Sequence, residues 1–187
     1  MATPASGAIS LNNIQATMGG SNPIGLDEYY RGGANVPNIT QNNAIPTSGQ
    51  ISLSNFYNTY GRLSTSHTIT IGSQTYTVSK TNYTDYGYRT TDVSYGSLSP
   101  TTFSNSLGTT TIKNIYWEDF DDELFFTLNR DTNTDLNFYE IVVGSTTFTR
   151  SSATFTDLGT DGQWKWIGVG NPVGTSGTQT LTVRTYA

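Results

Sequence analysis

The sequence predicts a mainly β protein: an antiparallel β-sandwich domain at 65–187, preceded by an irregular N-terminal arm with short helices at 1–61. Three observations predict it. Twelve Tyr, 19 Gly, abundant Thr and almost no Ala after residue 44 favour pleated sheet over helix. Beyond Gly61, short apolar runs alternate with polar residues at a period of two and recur between turn signals every ~8–12 residues, without an intervening helix. Before Gly61 the grammar is different, and one helix-like phrase occurs three times.

That phrase is Ile9-Ser10-Leu11-Asn12-Asn13-Ile14, Ile24-Gly25-Leu26-Asp27-Glu28-Tyr29 and Ile51-Ser52-Leu53-Ser54-Asn55-Phe56. Ser10, Gly25 and Ser52 are suitable N-caps. The Leu and the bulky residue three positions later share a helix face. Gly19, Gly32 and Gly61 are placed to supply left-handed stops. Each predicted helix has about eight residues, below the roughly 12–15 at which an isolated helix is marginally stable. Their apolar stripes must therefore be buried: Leu11, Ile14 and Met18; Leu26, Tyr29 and Tyr30; Leu53, Phe56, Tyr57 and Tyr60. The expectation is an anchor that docks on its own β-domain or on a neighbouring subunit. The alternatives are helices that pad one globular fold, and a segment that orders only on assembly. Gly33 to Gly49, rich in Asn, Gly, Pro and Thr, reads as an irregular arm following the surface.

The domain boundary falls at Gly61-Arg62-Leu63-Ser64. Thr68–Ile71 and Gln74–Val78, separated by Gly72-Ser73, predict a hairpin with a type II′ turn. Tyr83 to Pro100 reads as an irregular strand and a long loop. Thr110 to Trp117 is a strand whose Ile112 and Ile115 have a spacing that predicts a bulge. Leu124, Phe126 and Leu128 lie on one face of the next strand. Phe138–Val143 and Thr146–Arg150 form a second hairpin through Gly144-Ser145. Asp161-Gly162 turns into Gln163–Ile167, and Thr178–Tyr186 closes the domain with Leu181 and Val183 inward. These make about seven or eight strands and a sandwich, with a single barrel as the alternative architecture.

Composition narrows the function. A net charge of −5 argues against a nucleic-acid partner, whose phosphates would be repelled. No apolar run approaches the ~18 residues of a membrane span, so membrane insertion is not expected. Met1-Ala2-Thr3-Pro4 lacks the basic and apolar parts of a secretory signal. With no Cys there is no disulfide or thiolate chemistry.

Five carboxylates in six residues, Glu118-Asp119-Phe120-Asp121-Asp122-Glu123, can bind Ca²⁺ or carry acid–base chemistry, but a solvated turn is the favoured account. Asp131, Asn133 and Asp135 resemble the start of a calcium loop, although Leu136 replaces the turn glycine and Val142 the bidentate Glu. Gly168 to Gly174 has the wrong spacing for a phosphate cradle, and a strand follows it. His67 is the single histidine, and a structural role is expected for it. Trp164 and Trp166 share one strand face: exposed, they can stack on sugar rings together with Tyr83, Tyr86 and Tyr88; inward, they are core. A glycan-cleaving enzyme would have to use Glu118, Asp121, Asp122 or Glu140.

Residues 7–14, 19–20, 24–33 and 51–57 resemble a segment that recurs in virion structural proteins of tailed bacteriophages, especially marine and cyanobacterial ones. Tyr86-Gly87-Tyr88, Gly96-Ser97-Leu98-Ser99-Pro100, Phe148-Thr149-Arg150-Ser151 and Trp164-Lys165-Trp166 resemble a β-rich domain attached to such proteins. The resemblance implies a virion component without catalytic residues or cofactor, an accessory or appendage subunit of tail, neck or fibre. Its expected partners are other virion proteins and copies of itself. Capsid decoration, or adhesion to a host-surface glycan, are the alternatives.

Overall fold

A computed structural model describes residues 2–134 and 136–186. The chain forms two compact units. The first runs to Leu63 and takes in the C-terminal residues from Thr185; the second is Ser64–Arg184.

In the first unit, Leu11–Met18 is an α-helix (α1) of eight residues. Leu26–Tyr29 and Leu53–Phe56 are single 3-10 turns, shorter than the predicted helices. The reason lies in the residues that end them: Tyr30 and Tyr57 are extended, so neither turn propagates. Gly19 does cap α1, at φ +82°, and donates its N–H to Gln15 O. Gly61 is not a left-handed stop. A Cβ there would lie 1.7 Å from Thr17 O, so its role is close backbone approach.

The three phrases nevertheless behave as equivalents. Ser10 and Ser52 build the same capping box with Asn13 and Asn55, whose Oδ1 atoms accept the cap N–H at 2.9 and 2.8 Å. The sixth residue of each phrase, Ile14, Tyr29 and Phe56, is fully buried, while the Ile and Leu positions are half-buried. Tyr29 and Phe56 meet edge to face with centroids 6.1 Å apart. Met18, Val36 and Ile45 complete this small core. Val36 and Ile45 come from the stretch expected to follow the surface, which instead threads inward around a 3-10 turn at Thr40–Asn42.

With little regular ladder, polar side chains satisfy the backbone. Thr3 N–H donates to Thr59 O, while the Thr3 hydroxyl accepts Thr59 N–H and donates to Phe56 O. Buried Asn42 donates to Tyr60 O and accepts Tyr60 N–H, both at 2.9 Å. Asn55 donates to Ala44 O and Tyr57 to Gly7 O.

The second unit is an antiparallel β-sandwich. Its strands are β1 (Arg62–Thr70), β2 (Gly72–Val78), β3 (Thr81–Arg89), β4 (Ser97–Ser99), β5 (Thr102–Asn105), β6 (Gly108–Glu118), β7 (Glu123–Leu128), β8 (Glu140–Val143), β9 (Thr146–Thr149), β10 (Thr154–Asp157), β11 (Gly162–Ile167) and β12 (Thr178–Tyr186). One sheet has the order β4-β1-β12-β8-β9. The other runs β10-β11-β7-β6-β3-β2, with β5 also on β6.

The Gly144-Ser145 hairpin forms as β8–β9, with Gly144 at φ +60°. The bulge appears as a register shift between Ile112 and Asn114, which lets both Ile112 and Ile115 reach the core. Gly72-Ser73 is not a hairpin: β1 and β2 belong to different sheets, and the chain changes sheet at Ile71. Gly72 is needed because a Cβ would lie 2.1 Å from Gly96 N. The hairpin that does form joins β2 to β3 through Ser79 and Lys80, both at positive φ. Within Tyr83–Pro100, read from the sequence as an irregular strand and a long loop, the strand is the regular β3 and the loop is followed by the short β4.

Between the sheets lies an aromatic and aliphatic core. Leu124, Phe126 and Leu128 enter it from β7, Leu181 and Val183 from β12, and Trp164 and Trp166 from β11. Phe138 packs edge to face on both Phe126 and Trp164 at 5.1 and 4.9 Å.

Candidate functional site

The core burial settles where several predicted site residues lie. Trp164 and Trp166 are inside, their indole N–H groups donating to Asn133 Oδ1 and Thr149 O. They are not available to a glycan. Tyr83, Tyr86 and Tyr88 do not form one platform, because strand alternation sends Tyr83 to one face and Tyr86 and Tyr88 to the other. Tyr88 is buried, and Tyr86 stacks on Trp117.

The residues expected to dock outward, Leu11, Ile14, Met18, Leu26, Tyr29, Tyr30, Leu53, Phe56 and Tyr57, are all buried or half-buried within the first unit. Ile14, Met18, Tyr29 and Phe56 are buried together in the small core, and Leu26 and Leu53 pack half-buried against it.

Asn133 Oδ1 accepts from Trp164 and from Arg150 Nη1, so it serves as a structural link, while Asp135 lies outside the described residues. Gly168–Gly174 is organised by Asn171 Oδ1, which accepts the N–H groups of Val173 and Gly174. Glu140 pairs with Arg184 in the five-stranded sheet, away from Glu118 in the other. His67 is buried, with Nδ1 2.6 Å from Pro100 O. That bond fixes Nδ1 as the donor, and burial holds the imidazole pKa below its usual value.

The chemistry concentrates on the outer face of the seven-stranded sheet, opposite the core. Cross-strand register places Gln74, Asp85, Glu118 and Glu123 in one row on adjacent strands. Three carboxylates side by side repel one another. Each has a compensating contact. Lys165 Nζ lies 2.8 Å from Glu123, Tyr76 donates to Glu118 Oε1 at 2.8 Å, and Arg89 Nη1 lies 3.5 Å from Asp85 Oδ2. Glu118, Asp121 and Glu123 also bring oxygens within 4.8 Å of one another at the predicted acidic turn. There Glu123 is engaged by Lys165, and Asp122 accepts the indole N–H of Trp117.

Beside this row runs a second one in which Tyr116 stacks on Phe125 at 4.8 Å, with Arg89 over the Tyr116 ring and Lys165 near Phe125. Such cation–π contacts are worth about 0.5–2 kcal/mol depending on desolvation. Gly87 makes the close packing possible: a Cβ would lie 2.4 Å from Ile115 O.

Gln74, Tyr76, Asp85, Arg89, Val93 and Glu118 line a cavity of about 320 Å³. Asp85 is 3% exposed, and its Oδ1 has no hydrogen-bond partner among the described residues. Burial, then the Glu118 charge, push the Asp85 carboxyl up to about 6, with Arg89 offsetting part of the effect. Burial and the bond to Glu118 push the Tyr76 phenol up as well, so it stays a neutral donor. On this face Tyr83 and the acidic run Glu118–Glu123 stood out in the sequence, whereas Gln74, Tyr76, Asp85 and Arg89 did not. The signal for the rest was the period-two run Tyr83-x-Asp85-x-Gly87-x-Arg89.

Comparison of the chain with protein-family models, with curated proteins and with solved structures found no match in any of the three. Among the described residues, no helix is long and apolar enough to cross a membrane.

Proposed function

We propose that this chain is a non-enzymatic structural component of a tailed-bacteriophage virion, an accessory or appendage subunit that works beside other virion proteins and copies of itself. The observation that carries the reading is the structural equivalence of the three N-terminal phrases. The residues that resemble phage virion segments repeat a cap twice and a burial pattern three times, around one small core. They thus specify a built unit, a folded connector joined to a β-sandwich. With the apolar stripes enclosed, attachment uses the polar outer surface of that unit, such as Asn12, Glu28 and Gln41. Capsid decoration is a second placement of the same kind of subunit.

The test is proteomic and visual. Mass spectrometry of purified particles should find the chain at a stoichiometric copy number, and immunogold labelling should place it on one substructure. A chain lacking residues 1–61 should no longer incorporate. Absence from purified particles overturns the virion reading; normal incorporation of the truncated chain overturns the connector role.

A further inference from the structure

We infer that the cavity lined by Gln74, Tyr76, Asp85, Arg89, Val93 and Glu118 is a binding site for a neutral saccharide unit. Its size comes first. At about 320 Å³ it lies at the small end of ligand pockets, where one sugar ring fits and a chain of several does not.

Its polar groups select the chemistry. Asp85 and Glu118 offer acceptor oxygens, and Arg89 and the Gln74 amide offer donors. A ligand that meets both must itself donate and accept at closely spaced positions, as vicinal hydroxyls do. A cation satisfies the carboxylates but faces the Arg89 guanidinium. An anion satisfies Arg89 but faces two carboxylates. A polyol incurs neither repulsion.

The strongest single feature is Asp85 Oδ1, a buried carboxylate oxygen without a partner among the described residues. Buried polar atoms are nearly always bonded, so an unbonded oxygen on a residue that lines a cavity marks where a donor belongs. A ligand hydroxyl supplies that donor. Such a bond to an ionised acceptor is among the stronger neutral-to-charged contacts.

The walls complete the case. Tyr76 and Val93 give the cavity apolar surface suited to the C–H face of a sugar. Tyr76 leans on Tyr83, and Tyr83 meets Phe120 edge to face at 4.7 Å, with Phe120 43% exposed. The aromatic edge thus continues outward from the cavity, where the remainder of a glycan would run. Because the site rests only on these residues, it stands or falls independently of the virion reading.

The experiment is an amide-resolved NMR titration of the full chain with free D-glucose, D-galactose, D-mannose and N-acetyl-D-glucosamine, with CaCl₂ as a separate arm. At least one sugar should shift amides at Gln74, Tyr76, Asp85, Arg89, Val93 and Glu118 while leaving the core strands unmoved. Asp85→Asn preserves shape, replaces the charged acceptor by a neutral amide and puts a donor in place of one oxygen, and should weaken binding about tenfold or more. Tyr76→Phe, which leaves the ring and frees Glu118, should alter affinity without altering the fold, as checked by its spectrum. No response to any of the four sugars, a response mapped elsewhere, or an unchanged affinity in Asp85→Asn overturns the proposal. So does a response to CaCl₂ alone at the same residues, which would make this a cation site.

Discussion

The two units of this chain reach a dry core by opposite routes. In the sandwich, strand alternation sends every second residue toward the core between the sheets, and the backbone is satisfied by ladders between strands. In the N-terminal unit one short helix and three 3-10 turns cannot do this, so side chains take over: Thr3, Asn42 and Asn55 bond to backbone groups far along the chain. Regular lattice tolerates local change in polar residues; a pinned fold depends on each pin. The sandwich should therefore fail through its large apolar residues. The first unit should fail through polar ones too.

The sharpest way to separate the two is to empty each core in turn. Phe56→Ala and Trp164→Ala should each cost about 3–5 kcal/mol. Hydrogen exchange should then show lost protection before Leu63 for the first and within Ser64–Arg184 for the second. Loss of protection throughout in both would erase the distinction between two cores.

Next come the glycines at close backbone approaches. Gly61→Ala places a Cβ against Thr17 O, and Gly72→Ala places one against Gly96 N, with backbone as the obstacle in both. Each should cost about 3 kcal/mol, read as a fall in the denaturant midpoint.

A substitution of opposite sign probes the outer face of the seven-stranded sheet. The Asp85 carboxyl, at about 6 against an ordinary 3.8, is held more tightly protonated in the folded chain than in the unfolded one. Its ionisation therefore costs stability, a penalty absent below pH ~4 and complete above pH ~6. Asp85→Asn should gain about 1–3 kcal/mol at pH 7, and the gain should vanish by pH ~4. His67 acts the other way. Its folded pKa lies below 6.5, so the unfolded chain takes up the proton first and stability falls as pH drops through 6.5. Denaturation of wild type, Asp85→Asn and His67→Gln from pH 4 to 8 separates the two contributions.

The smallest effect belongs to the caps. Ser52→Ala should cost about 1 kcal/mol, and Ser10→Ala a similar amount, because each removes the serine half of its capping box. Equal losses would support the equivalence of the phrases.

Much of this was legible in the residues themselves. The fold class followed from Thr, Tyr and Gly content and from period-two runs. Ile112 and Ile115 announced the bulge by their spacing, and Gly144-Ser145 announced its turn. Ser10 and Ser52 stood out as caps. What escaped was long-range. Gly72 carries the same local signal for a II′ turn or a close approach, and only its neighbour Gly96 decides between them. The β2–β3 hairpin was hidden because Ser79 and Lys80 take positive φ without the usual Gly or Asn. Val36 and Ile45 lie in a stretch without periodicity, so nothing local marked them as core. The cavity was invisible for a related reason: Gln74, Asp85 and Glu118 meet only through strand register.

What sets the N-terminal segment apart from a docking arm is that its own contacts fold it. Amide exchange on the purified chain, free of any other protein, addresses that most directly. Slow exchange at Gly19, Asn42, Ile45 and Asn55, whose N–H groups are bonded within the unit, is the predicted result. Exchange of these amides at the rate of an unstructured chain would contradict it, and would return the segment to an arm that orders only on a partner.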